Sequence, residues 1–346
     1  MAHRPTMRDV ADAAGVSAAT VDRVLNARTP VREATARRVA EAAHRIGYHA
    51  SVLIDHRLLP DLPEGRFGVI LRKPRQAFYA GLAEAIEREV RAREDIRGEA
   101  TVTFAESARP EEIAERLGAL AGSVDAIAAT AVNHPLVAEA VRELGDGGIA
   151  TIALLSDFAQ GVRASYIGLN NLKAGRVAAW MTATAAGRPG KVAIFVGGYR
   201  WHGHELRETG FRSWYRENRA DFTVLDTMVN LETRELTYEA TLDLLSRHPD
   251  VVALHVAGGG MEGAIAALRE TRAPGEVALV VNELVPESRA ALTDGYATMV
   301  IATPIDVLAR DLGALLSGAV RSGANEASAV VSQRFLEPIF HVPESL

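Results

Sequence analysis

From residue 67 onward the chain repeats one unit: a short apolar run, a turn, then an amphipathic stretch of helical length. Apolar runs at 67–71, 100–104 and 124–129 lead into helices expected over 77–94, 111–121 and 135–144, and the run 149–154 leads to a short crossing strand at 166–169. The series restarts with a helix over 172–186, then strands at 192–196, 222–228, 251–256 and 277–281 alternate with helices over 205–218, 234–246 and 261–272. Continuous apolar runs bounded by turn residues suit strands covered on both faces, and neighbouring parallel strands need a helical crossover. Two such series in succession predict two doubly wound subdomains. Segments 298–301, 328–331 and 335–340 read as the remaining strands, with a helix over 305–321.

The first fifty residues follow a different rule. Thr6 can cap a helix with Met7, Val10, Ala11 and Ala14 at helical spacing, and Gly15 supplies the left-handed residue that ends it. Ser17 caps a second short helix with Val21, Val24 and Leu25 on its inner face. A third helix is expected over 32–46, ended by Gly47. Two short helices joined around a glycine form a helix-turn-helix, which places the second helix in the DNA major groove. Ala18, Ala19 and Arg23 then face base edges, while Thr6 and Ser17, at helix starts with free N–H groups, suit phosphates. The charge follows the same division: residues 1–60 carry nine Arg against six acids, although the whole chain is at −6. A basic head on an acidic body confines phosphate attraction to one end.

The pattern Asp9-Val-Ala, Ala14-Gly-Val-Ser17, Thr20-Val21, Arg23-Val-Leu-Asn26, then Val31, Thr35, Arg38-Val39, Ala42-Ala43 and Ile46-Gly-Tyr48 resembles the LacI group of bacterial repressors. The ordering of the body is similar to the type I periplasmic-binding-protein fold. The resemblance implies a helix-turn-helix head over 1–49, a hinge or linker over 50–65, and an effector domain over 66–346. Within that domain one subdomain takes 66–168 with 303–324 and the other 169–302 with 325–346, so the chain crosses near Gly168, Ala302 and Asn325. It also implies a homodimeric repressor or activator on a pseudo-palindromic operator, with a small carbohydrate-like effector in the cleft. The candidate DNA-facing set is Thr6, Met7, Ser17, Ala18, Ala19, Thr20, Arg23, Asn26, Thr35 and Tyr48. The sequence departs from the family at Ala50, where a proline is usual, at Arg57, where a leucine that wedges into the minor groove is expected, and at Asp22, where a serine is common. Leu53, Leu58 and Leu59 lie near that wedge position.

Ligands in open α/β sheets sit beyond the carboxyl ends of strands. The residues there are Gln76, Phe78 and Tyr79, then Ser156 and Asp157, then Arg200 and Arg207, and finally Asn282. Gln76-Ala-Phe78-Tyr79 is similar to the family's polar-x-Phe-aromatic element, Arg207 to its arginine three residues before Gly-Phe, and Asn282 to its Asp or Asn that takes two hydroxyls. Aromatic faces with planar donors and acceptors are the chemistry of saccharide capture. Arg72, Lys73, Arg75, Arg200 and Arg207 near the expected cleft extend this to a sugar acid or sugar phosphate.

No apolar run approaches the roughly 18 residues of a membrane span, and no leucine heptads follow Phe340. The opening Met1-Ala-His-Arg-Pro-Thr6 has no secretory apolar stretch, so a cytoplasmic location is expected. Cysteine is absent, which removes disulfides and thiolate chemistry. Gly258-Gly-Gly260-Met-Glu-Gly263 fits G-x-G-x-x-G with Glu283 about 20 residues on, which leaves an NAD-binding redox sensor as one alternative. A carbohydrate enzyme with a DNA-binding appendage is the other. His202-Gly-His204 lacks the further ligands of a metal site, and no nucleophile elbow occurs, so no cofactor, metal or catalysis is expected. Arg23→Ala is expected to weaken operator binding by about 1–3 kcal/mol and leave effector affinity alone. Titration of labelled operator checks this, and unchanged affinity would remove Arg23 from the reading set.

Overall fold

The computed structural model describes residues 5–26, 31–49, 62–327 and 332–346. The expected hinge residues Ala50, Leu53, Arg57, Leu58 and Leu59 therefore lie outside the described residues. The chain divides into two compact units, Met1–Pro63 and Glu64–Leu346.

In the first unit, α1 (Met7–Ala14) starts in a reciprocal cap: Asp9 N–H donates to Thr6 Oγ1 and Thr6 N–H to Asp9 Oδ2. Gly15, at φ 64°, ends it and turns the chain. Ser17 Oγ accepts Thr20 N–H at the start of α2 (Ala18–Asn26). The third helix, α3 (Glu33–Arg45), closes over them, and Val10, Val21, Val24, Leu25, Val39 and Ala43 form the buried centre. Arg45 donates to the Ala13 carbonyl at 3.0 Å, which satisfies an otherwise open acceptor at the end of α1.

The second unit holds two sheets. Strands β1 (Glu64–Arg72), β2 (Arg97–Ala105), β3 (Ala126–Ala129), β4 (Ala150–Leu154), β5 (Ser165–Leu169) and β12 (Ser332–Leu336) make a six-stranded parallel sheet in the order β12-β5-β4-β3-β1-β2. Strands β6 (Lys191–Val196), β7 (Thr223–Val224), β8 (Met228–Val229), β9 (Val251–Val256), β10 (Ala278–Asn282), β11 (Met299–Ala302) and β13 (Ile339–His341) make the other, in which β13 runs antiparallel to β11. The alternation along β1 shows why both faces are covered. Val69 and Leu71 face Leu82 and Ile86 of the helix Ala77–Arg91 and Leu308, Leu312 and Leu316 of the helix Ile305–Ala327. Ile70 faces the opposite way, towards Ile113, Leu117, Val137 and Val141.

Several expectations change. β1 opens at Glu64, inside the stretch expected to be linker. The run 222–228 resolves into two strands of two residues, β7 and β8. The closing run 335–340 is divided between the two sheets, and Pro338 in the break has no N–H to give to a ladder. The third crossing thus lies at residues 337–338 and not near Asn325, and residues 332–336 join the first sheet.

The helices Asn171–Ala185 and His202–Asn218 approach until no side chain fits between them. A Cβ on Gly175 would lie 2.0 Å from the Arg207 carbonyl, and one on Gly210 would lie 2.1 Å from the Leu172 carbonyl. Gly210→Ala is expected to lower the unfolding free energy by about 1–3 kcal/mol. Urea denaturation checks this, and wild-type stability would mean that the helix pair has slack.

Candidate functional site

The carboxyl ends of both sheets face one cleft of about 280 Å³. Of the residues expected there, Gln76, Phe78, Tyr79, Ser156, Arg207 and Asn282 line it. Phe78 and Tyr79 meet edge to face, with centroids 5.1 Å apart. Ser156 Oγ accepts the Gly203 N–H across the two lobes at 3.2 Å. Arg207 is held in place, its Nε donating to Asn171 Oδ1 at 2.8 Å and its Nη1 to the Ala257 carbonyl at 2.6 Å.

Two expected residues are not in the cleft. Asp157 is turned inward to the buried Arg163, whose Nη2 donates to it at 2.8 Å, so its carboxylate is spent on a structural ion pair. Arg200 is exposed. In its stead Arg72, at the end of β1 and only 5% exposed, lays its guanidinium 4.5 Å from the Trp201 ring centroid.

Glu232, Thr130 and Thr303 also line the cleft and were not anticipated. Glu232 follows the two-residue strand β8, too short to show in a hydropathy pattern. Its carboxylate accepts Arg72 Nη1 at 2.7 Å and lies 3.4 Å from Lys73 Nζ and 3.9 Å from His204 Nε2. His204 Nδ1 accepts the Gly197 N–H, so the proton of its neutral ring is on Nε2, towards Glu232. Burial opposes charge on Glu232, but His204 in its protonated form in acid, together with Lys73 and Arg72, outweighs it and holds the carboxyl below its ordinary range. Glu283 goes the other way: burial pushes its carboxyl up, although the Thr303 N–H and hydroxyl both donate to it.

The glycine-rich turn is explained by this cluster. A Cβ on Gly258 would lie 2.6 Å from His204 Cε1, one on Gly197 2.4 Å from Glu232 Cγ, and one on Gly259 3.0 Å from Glu232 Cβ. The Gly259 N–H points to Glu232 Oε1 at 3.4 Å. A turn whose amide faces a carboxylate is poorly made for a pyrophosphate, so the G-x-G-x-x-G match is a seat for a side chain.

Non-glycine residues with positive φ gather at the same strand ends: Lys73 after β1, Leu155 after β4, Leu231 and Glu232 after β8, and Glu283 after β10. Each such backbone costs on the order of 1–3 kcal/mol and persists where surrounding contacts over-determine it. Among the described residues that line the cleft, Arg72, Thr130 and Asn282 each carry a buried side-chain atom with no hydrogen-bond partner: Arg72 Nε, Thr130 Oγ1 and Asn282 Oδ1.

In the helical unit, Thr6, Met7, Ser17, Ala18, Ala19, Arg23 and Asn26 are exposed, and Thr20 and Thr35 are half-buried. Asp22, the acid on this face, accepts Asn26 Nδ2 at 2.6 Å. Tyr48 does not share the surface: it is 7% exposed and packs in the head's core, where its ring is needed to fill the space between short helices.

Burial pushes the imidazoles of both His204 and His255 down to about 4. An unfolded histidine takes up a proton near pH 6.5, so between there and about 4 the unfolded chain binds more protons and stability falls as pH drops. The loss is roughly 1.4 kcal/mol per pH unit for each histidine. His255→Gln should remove one histidine's share of that slope in urea melts between about pH 7 and 5; an unchanged slope would mean that His255 is already charged in the fold.

Comparison with known proteins agrees with this division. Residues 67–322 match the periplasmic binding protein domain, and residues 6–51 match the bacterial regulatory proteins of the lacI family. Catabolite control protein A of Priestia megaterium is 39% identical over 82 residues, which is 24% of this chain and 24% of that relative's length. Among solved structures, an ABC transporter solute-binding protein from Agrobacterium vitis bound with alpha-D-tagatopyranose has a TM-score of 0.73 at 19% identity, over 81% of this chain and 95% of that one. One from Burkholderia graminis in complex with D-arabinose has a TM-score of 0.73 at 17% identity, over 82% and 97%. At these identities the structural likeness concerns the fold. The chain thus carries a lacI-type DNA-binding domain at residues 6–51, and by the domain that makes up its body it belongs to the periplasmic binding protein domain family.

Proposed function

We propose that the protein is a transcriptional regulator, acting as a homodimeric repressor on a pseudo-palindromic operator, whose DNA affinity is set by a carbohydrate-class effector in the cleft. The observation that carries the effector reading is the set of buried, unpartnered polar atoms, Arg72 Nε and Thr130 Oγ1 on one lobe and Asn282 Oδ1 on the other. A buried donor or acceptor left unpaired costs about 1–3 kcal/mol. A polyhydroxylated molecule lying against Phe78 and Tyr79 satisfies donors and acceptors on both lobes at once, and so favours one relative position of the lobes. A regulator needs that coupling, because a ligand shifts an equilibrium only by its differential affinity for the two states. The reading assigns binding and no turnover.

The inner end of the cleft favours an acidic member of the class, a sugar acid or sugar phosphate. Arg72, Lys73 and Arg207 converge there against Glu232, while the Glu283 carboxyl is pushed towards its neutral form. On the DNA side, Ala18, Ala19 and Arg23 lie exposed on α2 as base readers, with Thr6, Met7, Ser17, Thr20, Asn26 and Thr35 as the supporting contacts.

A matching effector at a hundred times its Kd stabilises the folded state by about 2.7 kcal/mol. Thermal shifts of the full chain with neutral sugars, sugar acids, sugar phosphates and NAD should show a rise with a carbohydrate, lost in Asn282→Ala. The same compound should change operator affinity. A rise with NAD alone would overturn the effector reading and leave the DNA-binding reading intact.

A further inference from the structure

We infer that Glu232 is an internal stand-in for an acidic effector: its carboxylate latches the two lobes by holding Arg72 and Lys73, and an effector acid acts by taking those cations from it. The inference rests on the cleft being the effector site.

The cluster joins residues far apart in sequence. Arg72 and Lys73 end β1 of the first sheet, whereas Glu232 follows β8 of the second. Besides the carboxylate contacts, Lys73 Nζ donates to the Glu232 main-chain carbonyl at 2.9 Å, so the loop is gripped at two points. The seat for Glu232 is built: Gly197, Gly258 and Gly259 stand where any Cβ would crowd the Glu232 side chain or His204. A carboxylate that merely happened to fall there would not need three glycines around it.

The grip is also incomplete in a way that suits displacement. Glu232 engages Arg72 through Nη1, while Arg72 Nε stays buried without an acceptor. A free carboxylate can accept Nε and Nη together, the geometry that a guanidinium serves best. Two cations, Arg72 and Lys73, share the Glu232 carboxylate, with Glu262 acting on Lys73 from the same lining, and burial disfavours the charge of Lys73, which an effector anion beside it would support. Leu231 and Glu232 are consecutive left-handed residues, at φ 49° and 56°, so release of the carboxylate also lets the loop leave a strained backbone.

Glu232→Gln removes the charge and keeps the shape. The chain has no cysteine, so Glu111→Cys and Glu239→Cys, exposed on opposite lobes, can carry a pair of spin labels in the full chain. Without any sugar, the label distance should be short and narrow with Glu232 and longer and broader in Glu232→Gln. Lys73→Met, which removes one cation and its grip on the Glu232 carbonyl but retains the Arg72–Glu232 pair, should give a distance between those two, and cooperative urea unfolding of Glu232→Gln guards against an unfolded first variant. Equal distributions in the parent and Glu232→Gln overturn the latch. By calorimetry, the ratio of D-glucuronate to D-glucose affinity should rise roughly tenfold in Glu232→Gln, and likewise for D-galacturonate against D-galactose. An unchanged ratio, with sugars still binding, overturns the displacement and leaves the carbohydrate reading standing. Absence of binding by every sugar and sugar acid in both proteins overturns the carbohydrate reading and the displacement with it, while the label distances still decide the latch.

Discussion

A parallel strand cannot be hydrogen-bonded to its neighbour by a tight turn. The chain must cross over, and it does so with a helix that buries one face of the sheet. Most of what is distinctive in the body follows from that requirement. With both faces covered, the strands are largely apolar, as in the fully buried runs Ala126–Ala129, Ser165–Leu169 and Val251–Val256, whose polar members Ser165 and His255 have hydrogen-bond partners inside the fold. Polar side chains that meet a ligand are left to the residues just beyond the carboxyl ends. Because the chain passes three times between two such sheets, their carboxyl edges are brought to face each other, and side chains from distant segments converge on one cleft.

The cleft concentrates what is energetically expensive elsewhere in the body. Charges are taken out of water around Glu232, a penalty that only good pairing offsets. Left-handed backbone recurs at residues with side chains, and glycines are used where side chains from other segments need the room. The buried pair Asp157–Arg163 shows the contrasting use of the same chemistry. It ties two turns of one lobe together and offers nothing to the cleft. Burial and charge alone therefore do not separate a structural pair from a functional one; the position relative to the strand ends and between the lobes does.

Much of this was legible in the residues. The two short helices of the head follow from Thr6, Gly15 and Ser17, whose roles are local and whose partners lie within three or four positions. The alternation of strands and helices is equally local, since each element is marked by its own periodicity. Six of the eight expected cleft residues line the cleft because strand ends were identified correctly. The exceptions have specific causes. Asp157 and Arg200 follow their strands as expected, but a turn directs the first inward and the second to solvent. Glu232 was hidden because β8 has two residues, too few to mark a strand end, and the strands after residue 331 were assigned to one sheet because nothing in their composition says which neighbour they pair with.

The sequence by itself determined the two kinds of architecture, the helical head and the doubly wound body, and the set of strand ends from which a site must be drawn. These rest on interactions between near neighbours in the chain, which spacing records. Only the tertiary structure decided that Arg72 meets Glu232 across 160 residues, that the triple glycine makes room for a carboxylate, and that the chain changes sheets at Pro338. Those depend on how two lobes are set against each other, and the energy of a contact between distant segments leaves no period in the sequence to read.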